Sequence, residues 1–313
     1  MFTPATVSLL QKLHAYHLPR KGSFYHRSAE RRRTLLIRIT EMRNTLLDEM
    51  FERIKDVQIR SQLLLQLRKK LYDYFTRSDW ALVDMVALAA CTSVEVDEVS
   101  RAVAPNALLY HSLRMVDDVL DLHQDYKGGE PTLFGELSAN SETACLAIAG
   151  NLIPAMIMMA NMSAKLTKED RYLFERTLIG ALHESLAGNS CTRESYRRIA
   201  VAKMGAYGLF LYHPVVFMFK PAAQGRLEQF LKRSFFVAQM INDLQDQRVD
   251  EARHQPNYWL LGLESEYAVQ GFVQEVVALA NACREVANPA QDYAHARVTD
   301  LIAYLLQVVR NND

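Results

Sequence analysis

The sequence predicts an all-α protein, and three observations support this fold class. Only 12 glycines and 9 prolines interrupt the 313 residues, which is below average usage. Apolar residues recur with a helical period along nearly the whole chain, and no stretch alternates as a half-buried strand does. Leu, Ala, Met, Glu and Arg, which favour helices, are abundant. We therefore expect a single domain of roughly a dozen helices, several of them apolar almost all round and central.

Short breaks separate the predicted helices. They fall at residues 17–23, 126–132, 220–225 and 252–257. Gly, Pro and polar residues cluster there, as is typical of loops. Thr167 and Thr192 are predicted helix N-caps, and Asn288 is a third, with Pro289 at the first helical position. Pro105 is expected to open the helix that carries the first acidic cluster.

Composition and charge exclude several classes of partner. Lys plus Arg and Asp plus Glu number 36 each, and this zero net charge argues against a nucleic-acid surface. The four cysteines have neither metal-type nor redox-type spacing, so we expect reduced, buried thiols and a cytoplasmic location. Residues 144–162 are long enough for a membrane span. Gly150, Asn151 and Pro154 interrupt them, so we expect a buried helix and no stable membrane span.

The first acidic cluster lies in otherwise apolar sequence at residues 111–126. Asp117 and Asp121 are one helical turn apart and Asp125 follows one turn later, so the three share a helix face. Asp118 lies about 100° round the same helix. Buried carboxylates are costly unless they are paired or bind a metal. Hard divalent cations, above all Mg²⁺, take such oxygen ligands and share them with phosphates.

A second acidic cluster follows later in the chain, again after apolar sequence. Asn242, Asp243 and Asp246 lie within one helical turn of each other, and Gln239 lies one turn before Asp243. The alternative is that both clusters are solvated helix faces, with arginines such as Arg114 as partners. Two such stripes with apolar flanks favour facing walls of one metal site in a helix bundle.

The order of these motifs resembles that of a known family. Asp117-Asp118-Val-Leu-Asp121 resembles the first aspartate-rich motif of the trans-prenyl diphosphate synthases, the polyprenyl synthetase family. Further segments match in the family's order, namely LAIAGNLIPA (146–155), AKMGAY (202–207), QMINDLQD (239–246) and NYWLLGLE (257–264). The resemblance covers residues 75–265 approximately.

The resemblance implies an architecture for the whole chain. It implies a single-domain isoprenoid-synthase-type helix bundle with a central cavity, formed by residues 1–313. The N-terminal helices would occupy residues 1–75, the core with both acidic motifs residues 76–265, and the C-terminal helices residues 266–313. It also implies a homodimer.

The chemistry implied by the resemblance is Mg²⁺-dependent prenyl transfer. An allylic prenyl diphosphate would be ionised and its prenyl cation transferred to isopentenyl diphosphate or another acceptor. The Mg²⁺ ions, about three in number, would be bound by Asp117, Asp118, Asp121, Asn242, Asp243 and Asp246. The diphosphate would be bound by Lys127, Lys203, Gln239 and Arg248. The catalytic residues would be Asp117, Asp118, Lys203 and Asp243.

Two departures from the family pattern keep other functions open. The family's Gly-Gly-Lys-Arg segment, which holds isopentenyl diphosphate, corresponds to residues 77–84, where Arg77 is the only basic residue. Asn242, Asp246 and Asp250 have the spacing of the terpene-synthase metal triad, so a class I terpene synthase is the second hypothesis. The third is a non-catalytic partner subunit of a prenyl diphosphate synthase, which the complete first motif disfavours.

Overall fold

The computed structural model describes residues 2–18, 28–54, 62–77, 80–120, 132–139, 144–187, 191–261 and 265–312. Every regular element in these ranges is a helix, which confirms the all-α prediction. The α-helices are α1 (Pro4–His17), α2 (Ala29–Ile54), α3 (Gln62–Arg77), α4 (Trp80–Ala89), α5 (Val96–Leu120), α6 (Leu133–Ala139), α7 (Ala144–Met162), α8 (Lys168–Ala187), α9 (Arg193–Ala200), α10 (Ala206–Val216), α11 (Pro221–Arg253), α12 (Ser265–Glu285) and α13 (Ala290–Asn312). Short 3₁₀ turns lie at Ser163–Lys165 and Tyr258–Leu260, and a π-helical turn lies at Val201–Gly205.

Two of the predicted helix starts are confirmed by their capping bonds. Thr167 precedes α8, and its hydroxyl accepts the Asp170 N–H at 3.0 Å. Thr192 precedes α9, and its hydroxyl accepts the Ser195 N–H at 3.1 Å while the Ser195 hydroxyl accepts the Thr192 N–H at 2.7 Å. These bonds satisfy donors that the first helical turn leaves unpaired.

Of the other two predicted starts, one is wrong and one is displaced by a single residue. Pro105 lies inside α5, which begins at Val96. The helix is already formed before the proline, since the Glu95 carbonyl accepts the Val99 N–H at 3.0 Å. Pro105 lacks an N–H and so removes one backbone hydrogen bond from the interior of the helix. α13 begins at Ala290, one residue later than predicted, which is the usual uncertainty of a helix end.

The contacts divide the chain into two compact units. We call Arg32–Val86 with Val94–Tyr172 the middle unit, and Met1–Arg31 with Ala87–Ser93 and Leu173–Asp313 the terminal unit. The single-domain organisation and the central cavity stay predictions.

The middle unit is organised round α5. This helix is buried along most of its length and packs against α7 and α6. Val119, Phe134 and Ala147 form an apolar cluster at the contact of these three helices. The last turn of α5, which carries the first acidic motif, is therefore held from two sides.

The terminal unit is organised round α11, which is 33 residues long. α11 packs against α10, α12, α13 and the π-helical turn. α10 approaches it closely at Gly208, where an added Cβ would lie 2.2 Å from the Phe235 ring. α11 ends at Arg253, and His254 adopts the left-handed conformation with φ 58°. The predicted break at 252–257 is thereby confirmed.

The π-helical turn lies against α8. An added Cβ at Gly180 would lie 2.7 Å from the Lys203 backbone nitrogen and 2.8 Å from its Cα. Side-chain carbons do not approach backbone this closely, so only glycine permits the contact. The position of Lys203 thus depends on Gly180.

Two stretches are long and apolar enough to cross a membrane by length and composition alone. They are Ala147–Lys165, of which 33% is buried, and Glu194–Val216, of which 65% is buried. The first overlaps the helix that we expected to be buried. It is buried on one face, at Met158 for example, whereas Ile153 and Met156 are 54% and 64% exposed.

Candidate active site

The first acidic motif lies at the end of α5 in the middle unit. Asp118 is fully buried, and the Asp117 side chain is 17% exposed. Arg114, one turn earlier, has Nη1 3.5 Å from Asp117 Oδ2 and Nη2 3.7 Å from Asp118 Oδ1. The Tyr74 hydroxyl donates to Asp118 Oδ2 at 3.2 Å. Arg114 therefore supplies positive charge to both carboxylates, in the place where sequence reasoning expects a metal ion.

The neighbouring helix α7 supports this turn. Asn151 is fully buried, and its side-chain amide donates to the Met115 carbonyl. The bond joins the resembling LAIAGNLIPA segment to the acidic helix, two residues before Asp117. Of the remaining predicted residues near this motif, Asp121 and Lys127 lie outside the described residues, and so does Asp125.

The second motif centres on Asp243 in the terminal unit. This carboxyl is 3% exposed. Its Oδ2 accepts the Tyr196 hydroxyl at 2.6 Å and the Tyr258 N–H at 2.8 Å, and its Oδ1 accepts the Gln239 amide at 2.7 Å. Burial raises the pKa of Asp243 to about 7, while the bonds from Tyr196 and Tyr258 oppose the rise. Both carboxyl oxygens of Asp243 thus accept hydrogen bonds, and all three donors (a phenol, an amide and a backbone N–H) are neutral.

The segment after α11 folds back onto the motif. The Asn257 side-chain amide donates to the Asp243 carbonyl and to Asp250 Oδ2, each at 2.7 Å. The Trp259 indole N–H donates to the Met240 carbonyl at 2.8 Å. Sequence reasoning matched this segment to the family but gave it no role. The structure shows that it holds the motif by hydrogen bonds.

The other predicted residues of the second motif are more accessible. Asn242, Asp246 and Gln239 are partly buried, and Arg248 is exposed. Burial and the Asp246 carboxylate raise the pKa of Tyr304 on α13. The side chains of Asn242 and Asp246 are thus more exposed to solvent than that of Asp243.

Lys203 is paired with an acid that sequence reasoning missed. Its ammonium group donates to the Glu184 carboxylate on α8, and the two side chains are only 13% and 16% exposed. The Glu184 charge also contributes to the raised pKa of Tyr196, after burial and Asp243, and to that of Asp243. Two acids, a phenol and an ammonium thus form one network in the terminal unit. No local signal in the sequence marks Glu184.

Within each unit the structure brings several predicted residues together. Asp117 and Asp118 share Arg114, and Gln239 contacts Asp243 directly. Lys203 pairs with Glu184, whose charge adds to the rise in the pKa of Asp243. Metal binding by these residues, and their roles in diphosphate binding, stay predictions.

Comparison with known proteins shows likeness in fold rather than in sequence. No protein-family model matches the chain, and no curated protein sequence matches it. A decaprenyl diphosphate synthase from Rhodobacter capsulatus superposes with a TM-score of 0.57 at 12% identity, over 90% of this chain and 98% of that one. A geranyltranstransferase from Thermotoga maritima superposes with a TM-score of 0.55 at 16% identity, over 84% and 97%.

A geranylgeranyl pyrophosphate synthetase from the archaeon Geoglobus acetivorans gives the same result. Its TM-score is 0.55 at 12% identity, over 86% of this chain and 98% of that chain. The chain has the all-α fold of the trans-prenyl diphosphate synthases. The predicted fold class is therefore confirmed, and the resemblance seen in the ordered motifs is confirmed at the level of the fold.

Proposed function

We propose that the protein is a Mg²⁺-dependent prenyltransferase. It would ionise an allylic prenyl diphosphate and transfer the prenyl group to isopentenyl diphosphate or another acceptor. The observation that supports this proposal most directly is the adjacent pair Asp117 and Asp118, which lies near the end of a core helix. This pair occurs in a fold that the three solved synthases share with this chain.

The available donor atoms fit a hard divalent cation. Asp117 and Asp118 offer carboxylate oxygens beside the positive Arg114 guanidinium, which a bound cation would displace. Asn242 and Asp246 offer further oxygens that are partly accessible. Mg²⁺ prefers such oxygen ligands and shares them with substrate phosphates. When bound, the ions would neutralise the diphosphate as it leaves.

The chain's own cations would assist in binding the diphosphate. When a cation takes the two carboxylates, the Arg114 guanidinium is released to pair with phosphate oxygens. Lys203 would exchange its Glu184 partner for the diphosphate in the same way. Charge-assisted bonds of this kind contribute about 1.5–3 kcal/mol each, so these two groups would add substantially to substrate affinity.

Asp243 is best assigned as a positioning residue. Its two oxygens hold Tyr196, Gln239 and the Tyr258 backbone. Through these bonds it sets the position of α11, which carries Asn242 and Asp246. We propose that these two residues are the metal ligands of the second motif.

The decisive experiment measures pyrophosphate release with Mg²⁺. Allylic diphosphates of increasing length, from dimethylallyl to geranylgeranyl, are tested with and without isopentenyl diphosphate, and the products are identified by mass. Release that needs isopentenyl diphosphate and lengthens the chain supports a prenyl diphosphate synthase. Release without it, giving a hydrocarbon or alcohol, favours the terpene-synthase hypothesis. No release from any substrate or acceptor overturns the proposal in favour of a non-catalytic subunit.

A pair of matched variants tests the site itself. Asp117→Asn removes a charge from the first motif, and we expect the rate to fall about 100-fold or more, as when metal coordination is impaired. Asp97→Asn is the control, since Asp97 lies in the first turn of the same helix and pairs with the exposed Arg38. Its rate should stay within about twofold, because exposed pairs contribute little. Equal rates for both variants would contradict the site assignment.

The homodimer belongs to the same proposal. α8 exposes Ile179, Leu182 and Leu186, which are 54%, 52% and 75% accessible and recur at helical spacing. Exposed apolar stripes of this kind mark interaction surfaces. Leu182→Glu should therefore lower the molar mass measured by light scattering, whereas Ile37→Glu, on the exposed face of α2, should leave it unchanged. A monomeric native protein would contradict the dimer.

A further inference from the structure

A cluster of two histidines and one cysteine lies in the terminal unit, on helices that carry neither acidic motif. His17 is the last residue of α1, Cys283 lies in the last turns of α12, and His295 lies in the second turn of α13. α1 packs against both of the other helices. Three separate helices therefore deliver one side chain each to the same point.

The distances in this cluster are close to those of a tetrahedral metal site. One ligand atom from each residue lies within 4.8 Å of the others, and His17 Nδ1 lies 2.9 Å from His295 Nδ1. Zinc bonds of about 2.0–2.1 Å to nitrogen and about 2.3 Å to sulfur imply ligand separations of about 3.3–3.6 Å. Side-chain rotations that bring separations of at most 4.8 Å into this range would form the site.

The surroundings favour a ligand more than a structural contact. His17 and Cys283 are both fully buried, and His295 is partly buried. The His17 Nε2 atom makes no hydrogen bond within the described residues, although buried polar atoms are nearly always bonded. The two imidazole rings share a hydrogen bond between their Nδ1 atoms, and the Cys283 thiol lies beside them as a third candidate ligand.

We propose that His17, Cys283 and His295 bind a borderline-soft divalent cation, Zn²⁺ being the best match, with water in the fourth position. Two imidazoles and a thiolate are ligands that Zn²⁺ prefers, whereas Mg²⁺ requires oxygen. On binding, the Cys283 thiol loses its proton to solvent and the thiolate offsets part of the cation's charge. The site is independent of the proposed prenyl transfer, and it would join α1 to α12 and α13.

The test uses the full chain without any prenyl diphosphate. The protein is stripped with chelator, kept in excess Mg²⁺, and titrated with Co²⁺ and then Zn²⁺. We expect a near-ultraviolet thiolate-to-cobalt absorption that saturates at a single equivalent and disappears when Zn²⁺ displaces Co²⁺. The bound protein should also unfold at a higher temperature, because the cation binds the folded state.

Matched cysteine variants separate this site from adventitious binding. Cys283→Ser should abolish the absorption band and weaken Zn²⁺ binding about 100-fold or more. Cys91→Ser is the control, since Cys91 is also a buried free thiol but lies in the turn that follows α4. It should bind as the native protein does.

A third variant guards against misfolding. His295 is only partly buried, so His295→Gln should fold, as judged by circular dichroism, and should still lose the tight site. Retention of native Zn²⁺ affinity in Cys283→Ser or His295→Gln would overturn the proposal. So would an equal loss in Cys91→Ser, or the absence of any Co²⁺ band in the native protein.

Discussion

Asp118 and Asp243 are both buried carboxyl groups in predicted metal motifs, but their partners differ in charge. Asp118 lies beside the Arg114 guanidinium and the Tyr74 hydroxyl. Asp243 accepts three bonds from neutral donors. A cation can displace an arginine from the first group and leave its charge balanced. At the second group it would have to break a network that joins three segments of the chain.

The comparison separates two uses of the same residue type. In the first motif the carboxylates of Asp117 and Asp118 lie beside a positive side chain, Arg114. In the second motif the buried carboxyl organises the backbone, and we propose that the neighbouring Asn242 and Asp246 bind the cation. We interpret a buried carboxyl with neutral partners as a structural residue. We interpret a buried carboxyl beside a displaceable positive charge as a candidate cation ligand.

The largest effect expected from this difference is on stability. Asp243→Ala leaves the Tyr196 hydroxyl and the Tyr258 N–H without their acceptor, and we expect the free energy of unfolding to fall by about 3 kcal/mol or more. In Asp243→Asn the new Oδ1 can still accept both bonds, and the Gln239 amide can turn to accept from the new Nδ2. Urea unfolding of the two variants measures the contrast. Equal losses would show that Asp243 does not act through these bonds.

A smaller effect is expected where α8 contacts the π-helical turn. Gly180→Ala places a Cβ 2.7 Å from the Lys203 backbone, and such overpacking costs about 1–3 kcal/mol. Gly225→Ala on α11 is the control, because an added Cβ there meets nothing within 4 Å. It should instead stabilise the protein by about 0.5–1 kcal/mol, as alanine favours helix. A neutral Gly180→Ala would contradict the close approach.

The pH dependence of stability tests the charge of Asp243. Its pKa is raised from 3.8 to about 7 by burial, so the folded state keeps a proton that the unfolded state loses between these values. The free energy of unfolding should therefore fall as pH rises from about 4 to about 7 and then level off. Asp243→Asn should lack this component. A stability difference between native protein and variant that stays constant across this range would contradict the raised pKa.

The smallest effect concerns the replaceable arginine of the first motif. Arg114→Gln removes the charge that competes with a cation, so Mg²⁺ without substrate should raise the melting temperature of this variant more than that of the native protein. The extra stabilisation of the variant by Mg²⁺, expressed as free energy of unfolding, should be about 1 kcal/mol. Arg101→Gln, an exposed position on the same helix, is the control and should respond as the native protein does. A weaker response of Arg114→Gln would show that Arg114 assists rather than opposes the cation.

Local patterns predicted much of this molecule. The helical period, the N-caps at Thr167 and Thr192, and the ordered motifs all depend on residues that are near in sequence. The alternative that the acidic clusters are solvated helix faces correctly named Arg114 as a partner. It was wrong about exposure at Asp118, which is buried.

The partners of Asp243 were beyond such patterns. Tyr196 and Tyr258 come from separate segments, and no pattern in the sequence shows that a tyrosine hydroxyl or backbone N–H donates to a distant carboxyl. Glu184 likewise has the pattern of an ordinary residue of a polar helix. Only the packing of α8 against the π-helical turn, which Gly180 permits, brings it to Lys203.

The π-helical turn at Val201–Gly205 accommodates one extra residue between α9 and α10. Such a turn holds one residue more than a regular helical turn, and each residue of an α-helix accounts for about 100° of rotation. A chain that lacks the extra residue can continue through this point as regular helix, with the position of Gly208 still facing Phe235. A homologue with an uninterrupted helix must therefore be aligned to this chain with a gap in this turn, or every position beyond it will be matched to a side chain that points elsewhere.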